Sequence, residues 1–468
     1  MSRKKGNVAE LSWLKPLSPG RGPRYQQIAQ QVIDAAREQR LLPGDRLPPQ
    51  RELAQQLGVD LTTVTRAYNA LRASGLLAVH GARGTYIALP AEISGDAGST
   101  VDLSMNIPPL TGSVAFGRAL QLAAAHAQAR LSKDALMSYH VGPGAALDRE
   151  AGALWLRPVL GRIERARVIV CSGAQTALAG LMLARSREGD GVLTDTLTYP
   201  GLLAAASTLR REICPVPGDE QGMLPQALEQ ACVARRPALL YLNPTIHNPT
   251  TITMSAPRRA EIYDIASRHG VAIIEDDPYY LLAGDAPAPF ASYQGGAPVF
   301  YVSTLSKTLA PGLRTAYIVT PAGEPQAPLL DALRSITLMP SAWMTALATQ
   351  MIESGAAQRW LGEVRAELER RQTLAAGILP TASLAHPGGL HRWLTLPPGW
   401  DEHRLIRAAQ DQGLGVTPSA AFSALDRVPH AVRISLGGAA DLAALEIGLR
   451  RLAGILADPG LPRVSGVV

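Results

Sequence analysis

Lysine is scarce in this sequence. Of 45 Lys+Arg residues only five are lysines, Lys4, Lys5, Lys15, Lys133 and Lys307, so after residue 133 every positive charge but one is an arginine. Cysteine is scarcer still. Cys171, Cys214 and Cys232 form no paired framework and no C-x-x-C occurs, which excludes a disulfide-stapled fold and suits a reducing compartment. No run of about 18 uninterrupted apolar residues is present, so no membrane span is expected. The opening MSRKKGNVAE lacks the apolar centre of a secretory signal, and a cytoplasmic location is the expectation. Charged residues make up 18% of the chain and hydrophobic ones 47%, which excludes disorder and permits a large core. At 468 residues the chain is too long for one ordinary domain, and two or three are expected.

The isolated lysine sits in VFYVSTLSKTLAPGLR, residues 299–314. An apolar, β-rich run ends in Ser303, Thr304 and Ser306; Lys307, a Pro-Gly turn and Arg314 follow. Arginine serves as well as lysine for charge, but its guanidinium stays protonated and forms no Schiff base. A lysine kept where arginine is the rule points to amine chemistry with a carbonyl. The resident carbonyl that fits is pyridoxal 5′-phosphate (PLP).

The net charge of +6 is unevenly placed. Residues 1–90 hold 13 Lys+Arg against 6 Asp+Glu, and the remainder holds 32 against 33. A basic excess confined to one end is the footprint of a nucleic-acid module on a near-neutral body. Residues 1–22 read as an arm. Helices are expected at about 24–40, 49–57 and 61–73, with Pro49 in a first turn, Gly58 as a stop and Asp60 as a cap. Two short helices joined by a Gly-containing turn form a helix-turn-helix signature. Thr62, Thr63 and Arg66 lie on the polar face of the third helix, where base edges and phosphates are met. LLAVHGARGTYIAL reads as a hairpin wing with Arg83 at its tip. The run PGDRLPPQRELAQQLGVDLTTVTRAYNALRASGLLAVHGARGTYI resembles the GntR-type winged helix-turn-helix. That resemblance, over about residues 23–89, implies DNA contact by Arg51, Arg66 and the wing.

Residues 90–100, PAEISGDAGST, read as a linker. From about 167 strands and helices alternate, the mark of an α/β sheet. Ser172-Gly173-Ala174-Gln175 is a small-residue turn feeding a helix, able to hold a phosphate on free amides. Strand-like runs end at Asn243 and at Glu275, Asp276 and Asp277. The acidic pair has no accompanying histidine or third carboxylate at ligand spacing, which disfavours a metal site. A buried carboxylate facing a pyridine nitrogen keeps it protonated and makes the ring an electron sink; a Tyr hydroxyl and an Asn nearby can bond the ring oxygen.

Together SGAQTAL, TYPG, NPTIHNPTT, EDDPYY, STLSKTLAPGLR and AVRISLGG resemble, in order and spacing, the fold-type I PLP enzymes of the class I aminotransferase family. The resemblance covers about residues 101–455, with a large part near 150–335, a small part from 101–149 and 336–455, and a tail at 456–468. It implies Lys307 as the Schiff-base lysine and Asp276 at the pyridine nitrogen. Asn248 and Tyr279 are implied at the ring hydroxyl, and Tyr199 stacked on the ring. Ala174, Gln175, Thr304, Ser306 and Arg314 are implied in a phosphate cup, joined by Tyr139 from a partner subunit. Arg433 is implied to pair with a substrate α-carboxylate. The family's usual hydroxyl residue is Ala174 here, the usual Gly after NPT is Thr251, and the usual Leu-Gly is Thr315-Ala316.

A GntR-type head linked to an aminotransferase-like body resembles the MocR subgroup of transcription regulators. The expected fold is a mainly helical winged helix-turn-helix plus an α/β aminotransferase fold of type I with large and small parts. The expected function is control of operator DNA by a homodimer that senses an amino acid or amine through aldimine exchange at Lys307. The alternative is an active aminotransferase with an accessory DNA-binding head.

Overall fold

The computed structural model describes residues 13–18, 22–38, 40–41, 45–73, 77–79, 85–87, 101–111, 114–425 and 429–457. The expected linker, the wing tip with Arg83, and residues beyond 457 lie outside the described residues. The chain divides into two compact units, Met1–Gly98 and Ser99–Val468.

The first unit is built on helices α1 (Arg24–Arg37), α2 (Gln50–Leu57) and α3 (Leu61–Ala73). Ile28, Val32 and Ala35 of α1 are fully buried, and Val64, Ala67 and Leu71 of α3 pack in the same cluster, the three-to-four spacing of a one-sided apolar face. Gly58 ends α2 in the left-handed region at φ 60°, where glycine carries no Cβ penalty. Tyr68 of α3 donates from its buried hydroxyl to the Pro48 carbonyl at 2.9 Å. Strands β1 (Leu77–Val79) and β2 (Thr85–Ile87) pair antiparallel. Residues 45–47 add an isolated β-bridge to this hairpin: Arg46 bridges Tyr86, the Leu47 amide donates to Thr85 and the Ile87 amide donates to Asp45.

Trp13 falls within the expected arm, yet it is 1% exposed and packs with Ile28, Leu53 and Val64, so this segment belongs to the core. Burying an indole removes about 150–250 Å² from water, an upper estimate of roughly 4–6 kcal/mol. Two glutamines of α1 tie the same segment down through paired amide bonds, Gln31 to both backbone groups of Lys15 and Gln27 to those of Ser18. The folded unit therefore starts ahead of residue 23, because one large apolar side chain outweighs the polar residues around it.

The second unit is organised by a seven-stranded sheet of β3 (Val168–Cys171), β4 (Gly191–Asp195), β5 (Glu212–Val216), β6 (Leu239–Leu242), β7 (Ala272–Asp276), β8 (Val299–Thr304) and β9 (Ala316–Val319), in the order β3-β9-β8-β7-β6-β4-β5. All pairings are parallel except those of β9, which runs antiparallel to both neighbours. Every residue of β7 and β8 is buried, which is why these strands read as continuous apolar runs. Phe300 and Val302 enter one core cluster while Tyr301, between them, enters another, the period-two alternation of a sheet covered on both faces. Helix α4 (Ala174–Arg185) follows β3 and α5 (Pro200–Thr208) follows β4.

A smaller antiparallel sheet contains β10 (His391–Thr395) and β11 (Ala431–Ser435), with Trp393 opposite Arg433 and His391 opposite Ser435. Helix α6 (Ala356–Ile378) packs nearby, and its buried Arg371 donates to the carbonyls of Leu436 and Ala439 just past β11. No described helix is long and apolar enough to cross a membrane.

Candidate functional site

Parallel strands deliver their C-terminal ends to one edge of a sheet, and ligands of open α/β folds bind there. Asp276 is the last residue of β7, paired in register with Val302 of β8, and Lys307 follows β8 by three residues. Lys307 is partly buried and its Nζ donates to the Asn106 carbonyl at 2.6 Å. Burial first, and then the Arg433 guanidinium, lower its pKa to about 8, with Arg314 acting in the same sense and Asp276 against it. At neutral pH an appreciable share of this amine is unprotonated, the form that attacks a carbonyl.

Asp276 is 5% exposed. Its Oδ2 accepts from the Tyr241 hydroxyl at 2.8 Å, and the Asn243 amide holds its backbone carbonyl at 2.7 Å. Its Oδ1 is buried without a hydrogen-bond partner among the described residues. Burial pushes this carboxyl up to about 7, against the Tyr241 bond. A buried oxygen so held calls for a donor. Its neighbours Glu275 and Asp277 serve the scaffold instead: Glu275 accepts from the amides of Phe290 and Ala291, and Asp277 from Thr245. No cluster of three metal-ligating side chains exists among the described residues.

The residues expected to cup a phosphate meet at the start of α4. Gly173, the cap residue, has φ 90° and offers no side chain. The amides of the first helical turn, including Ala174 and Gln175, lack intrahelical acceptors. A Cβ on Gly173 would stand 2.5 Å from Arg314 Nη2, so the glycine leaves room for that guanidinium, itself carried by a left-handed residue at φ 43°. Thr304 and Ser306 are buried with their hydroxyls 3.1 Å apart. The Gln175 side chain is already committed to the Gly201 carbonyl at 2.7 Å, which leaves its backbone amide as the donor. Gly201 is required there, because a Cβ would lie 2.2 Å from Gln175 Oε1 and 2.3 Å from the Tyr199 ring. Tyr199 caps α5 and is raised in pKa by burial and by Asp276.

Arg433 is 7% exposed and is held from three sides: Nη1 donates to Asn248 Oδ1 at 2.9 Å, Nη2 to the Ser104 carbonyl at 2.6 Å and to Thr417 at 3.4 Å. Its guanidinium lies 4.9 Å from the Phe422 ring centre, and its Nε is buried without a partner among the described residues. Asn248, bonded to Arg433, precedes a cis Asn248–Pro249 peptide. Tyr279 is 2% exposed, and its hydroxyl accepts from Asn106 Nδ2 at 3.0 Å. Tyr139 is 75% exposed.

The structure thus brings Lys307, Asp276, Tyr279, Asn248, Tyr199, Gly173, Arg314 and Arg433 to one place. Asn106 and Tyr241 escaped the sequence reading. Asn106 stands in VDLSMNIPPL, 201 positions from the lysine it touches, and nothing local marks it. Tyr241 was legible only as an apolar strand residue.

In the first unit, Arg51, Thr62 and Arg66 are exposed and Thr63 is half-buried. Arg66 lies over the Tyr25 ring at 4.6 Å, which holds the guanidinium in a defined direction.

Comparison with known proteins agrees with both halves. The signature described as "Aminotransferase class I and II" matches residues 100–452, and that described as "Bacterial regulatory proteins, gntR family" matches residues 24–87. The chain is 29% identical to the uncharacterized HTH-type transcriptional regulator YdeF of Bacillus subtilis, over 96% of this chain and 97% of that protein. It is 28% identical to the 2-aminoadipate transaminase of Thermus thermophilus, over 70% and 84% respectively. Its fold matches the alpha-aminoadipate aminotransferase LysN of Thermus thermophilus, solved with N-(5′-phosphopyridoxyl)-L-leucine, at a TM-score of 0.69 and 24% identity over 77% of this chain and 93% of that one. The family's cofactor fits the residues described: an orphaned carboxylate oxygen for the ring nitrogen, a helix start and an arginine for the phosphate, and one amine. The chain belongs to the class I and II aminotransferase family, uses pyridoxal 5′-phosphate, and carries this fold behind a gntR-family regulatory domain in the manner of MocR-type transcription regulators.

Proposed function

We propose that this protein is a PLP-dependent transcriptional regulator whose winged helix binds operator DNA and whose aminotransferase-like unit senses an amino acid or an amine at Lys307. The observation that supports it is the coexistence, in one chain, of an amine site that gathers Lys307, Asp276, Arg314 and Arg433 and a winged helix that turns Arg51, Thr62 and Arg66 outward. When bound, PLP supplies an aldehyde that condenses with amines and a ring that withdraws electrons.

The chain's own residues do the rest. Lys307, with its lowered pKa, holds the cofactor and can yield its place to another amine. Asp276 keeps a proton on the ring nitrogen through Oδ1, while Tyr241 fixes Oδ2. Ala174 and Gln175 amides, Thr304, Ser306 and Arg314 take the phosphate, whose charge the helix start and the guanidinium both favour. Arg433 receives a carboxylate on donors left free by Asn248 and Ser104. Tyr199 would cover the ring, and Tyr279 would face its oxygen.

The partner subunit completes the site. Leu122, Leu136, Met137, Tyr139 and Val141 are exposed apolar side chains, Met137 by 87%, and burial of such side chains by a second copy accounts for them. Sedimentation of a stable monomer at micromolar concentration contradicts this.

Full transamination is the competing reading, since Lys307, Asp276 and Arg433 are all present and Ala174 removes only one side-chain hydroxyl from the phosphate cup. Purified PLP-loaded protein, given amino acids and amines, distinguishes the two. A regulator changes its affinity for operator DNA on ligand addition with little or no transfer to a 2-oxo acid. Sustained turnover with unchanged DNA affinity refutes the regulatory reading.

A further inference from the structure

The use of the Tyr279 hydroxyl is fixed by two residues that no sequence pattern singles out. His391 is fully buried on β10. Its Nε2 lies 3.3 Å from the His247 carbonyl oxygen, which can only accept. Nε2 therefore carries the ring proton. Burial first, and then the Arg433 guanidinium, hold this imidazole well below its ordinary pKa, so the ring is neutral and Nδ1 is a bare acceptor. Asn106 Nδ2 stands 3.2 Å from that Nδ1 and 3.0 Å from Tyr279 Oη. A bare Nδ1 accepts only from the NH₂ end of an amide, which settles the amide's orientation. Both hydrogens of Nδ2 are then used, one on His391 and one on Tyr279. Tyr279 accepts toward Asn106, and its own proton is left to be donated elsewhere.

We propose that Asn106 and His391 are positioning residues that hold Tyr279 as a hydrogen-bond donor to the ring oxygen of the cofactor, His391 acting through Asn106 and Asn106 through Tyr279. This rests on the reading that Tyr279 faces the ring oxygen. The His247 carbonyl is the fixed reference: it sets the His391 tautomer, the tautomer sets the Asn106 amide, and the amide sets the phenol. The groups that face His391 are Arg433, His247 and Lys307; those that face Tyr279 are Arg433, Asp276, Tyr199 and Asn106.

The test is a pH titration of the visible band of the full-length, PLP-loaded protein. A donor to the ring oxygen favours the form that has lost the proton on the lysine nitrogen, so it lowers the midpoint of the titration. Tyr279→Phe, Asn106→Ala and His391→Phe are each expected to raise that midpoint, by about one to two pH units for loss of one bond to a charged oxygen. Because His391 acts only through Tyr279, the double variant Tyr279→Phe with His391→Phe is expected to match Tyr279→Phe alone. Should His391→Phe fail to hold the cofactor, Asn106→Asp gives the same answer, since a carboxylate accepts from the phenol and turns its proton away. Wild-type titration of the Asn106 and His391 variants beside a shifted Tyr279→Phe overturns this proposal alone. Wild-type titration of Tyr279→Phe overturns the reading beneath it as well. A double variant shifted beyond Tyr279→Phe shows His391 acting by another route and also overturns it.

Discussion

Replacing Arg433 tests whether the site is built for amino acids or for amines in general. A guanidinium has five N–H donors. Asn248, Ser104 and Thr417 engage at most three of those on Arg433, and Nε is buried without a partner among the described residues. The hydrogens left, on Nε and Nη1, lie on different edges of the guanidinium, so a two-pronged pair with an incoming carboxylate forms once the long Thr417 contact at 3.4 Å gives way. Lysine keeps the charge but not the fork, so Arg433→Lys is expected to weaken carboxylated ligands by about 2–3 kcal/mol, roughly 30- to 150-fold. Arg433→Ala is expected to cost more, because it also strips Asn248 and Ser104 of their buried partner. Amines without a carboxylate never use the fork and are expected to stay within about threefold of wild type, well below one such bond. The assay titrates PLP-loaded protein with amino acids and with the corresponding decarboxylated amines, following the visible band. Equal losses for an amino acid and its amine refute the assignment, as does loss of bound PLP in Arg433→Lys.

Gly173→Ala places a Cβ 2.5 Å from Arg314 Nη2 at φ 90°. Backbone strain of roughly 1–3 kcal/mol and displacement of the guanidinium are expected to weaken PLP binding about tenfold or more with the fold intact; wild-type affinity in a fluorescence titration contradicts the cup. Arg66→Ala is expected to cost about 1–3 kcal/mol on a specific operator and much less on scrambled DNA, and anisotropy curves equal to wild type on both refute the recognition-helix assignment. Burial raises the carboxyls of Asp276 and Asp195 to about 7 and of Glu275 to about 8, from 3.8, 3.8 and 4.5. Stability held by their protonated forms is complete below about pH 4 and is lost as pH rises through 7 to 8. The Tm of the PLP-free protein is therefore expected to fall between about pH 4 and 8 and to level off above, with a shallower fall in Asp276→Asn; a flat profile across that range contradicts these burial effects.

The sequence made the chemistry legible where it lies in short motifs on strand ends. Lys307 stood out against arginine, Asp276 at the end of an apolar run, and Gly173 before a helix, because strand, turn and helix start are local in sequence. Partners supplied from afar did not show. Asn106, His391 and Tyr241 reach the site through tertiary packing, and their local context reads as loop or strand interior. The bridge from residues 45–47 to the wing was hidden in the same way, since that stretch looks like a turn until its backbone meets Thr85–Ile87. Trp13 was misplaced because periodicity carries no weight in a segment with one large apolar residue.

Lys307 is the residue that would link ligand to DNA. The direct measurement is operator affinity of PLP-supplied wild type and Lys307→Ala, each with and without the amino acid or amine that perturbs the wild-type visible band. The account predicts a ligand-dependent change in affinity for wild type, and none for Lys307→Ala, whose visible band is also absent. The same ligand-dependent change in Lys307→Ala as in wild type contradicts it.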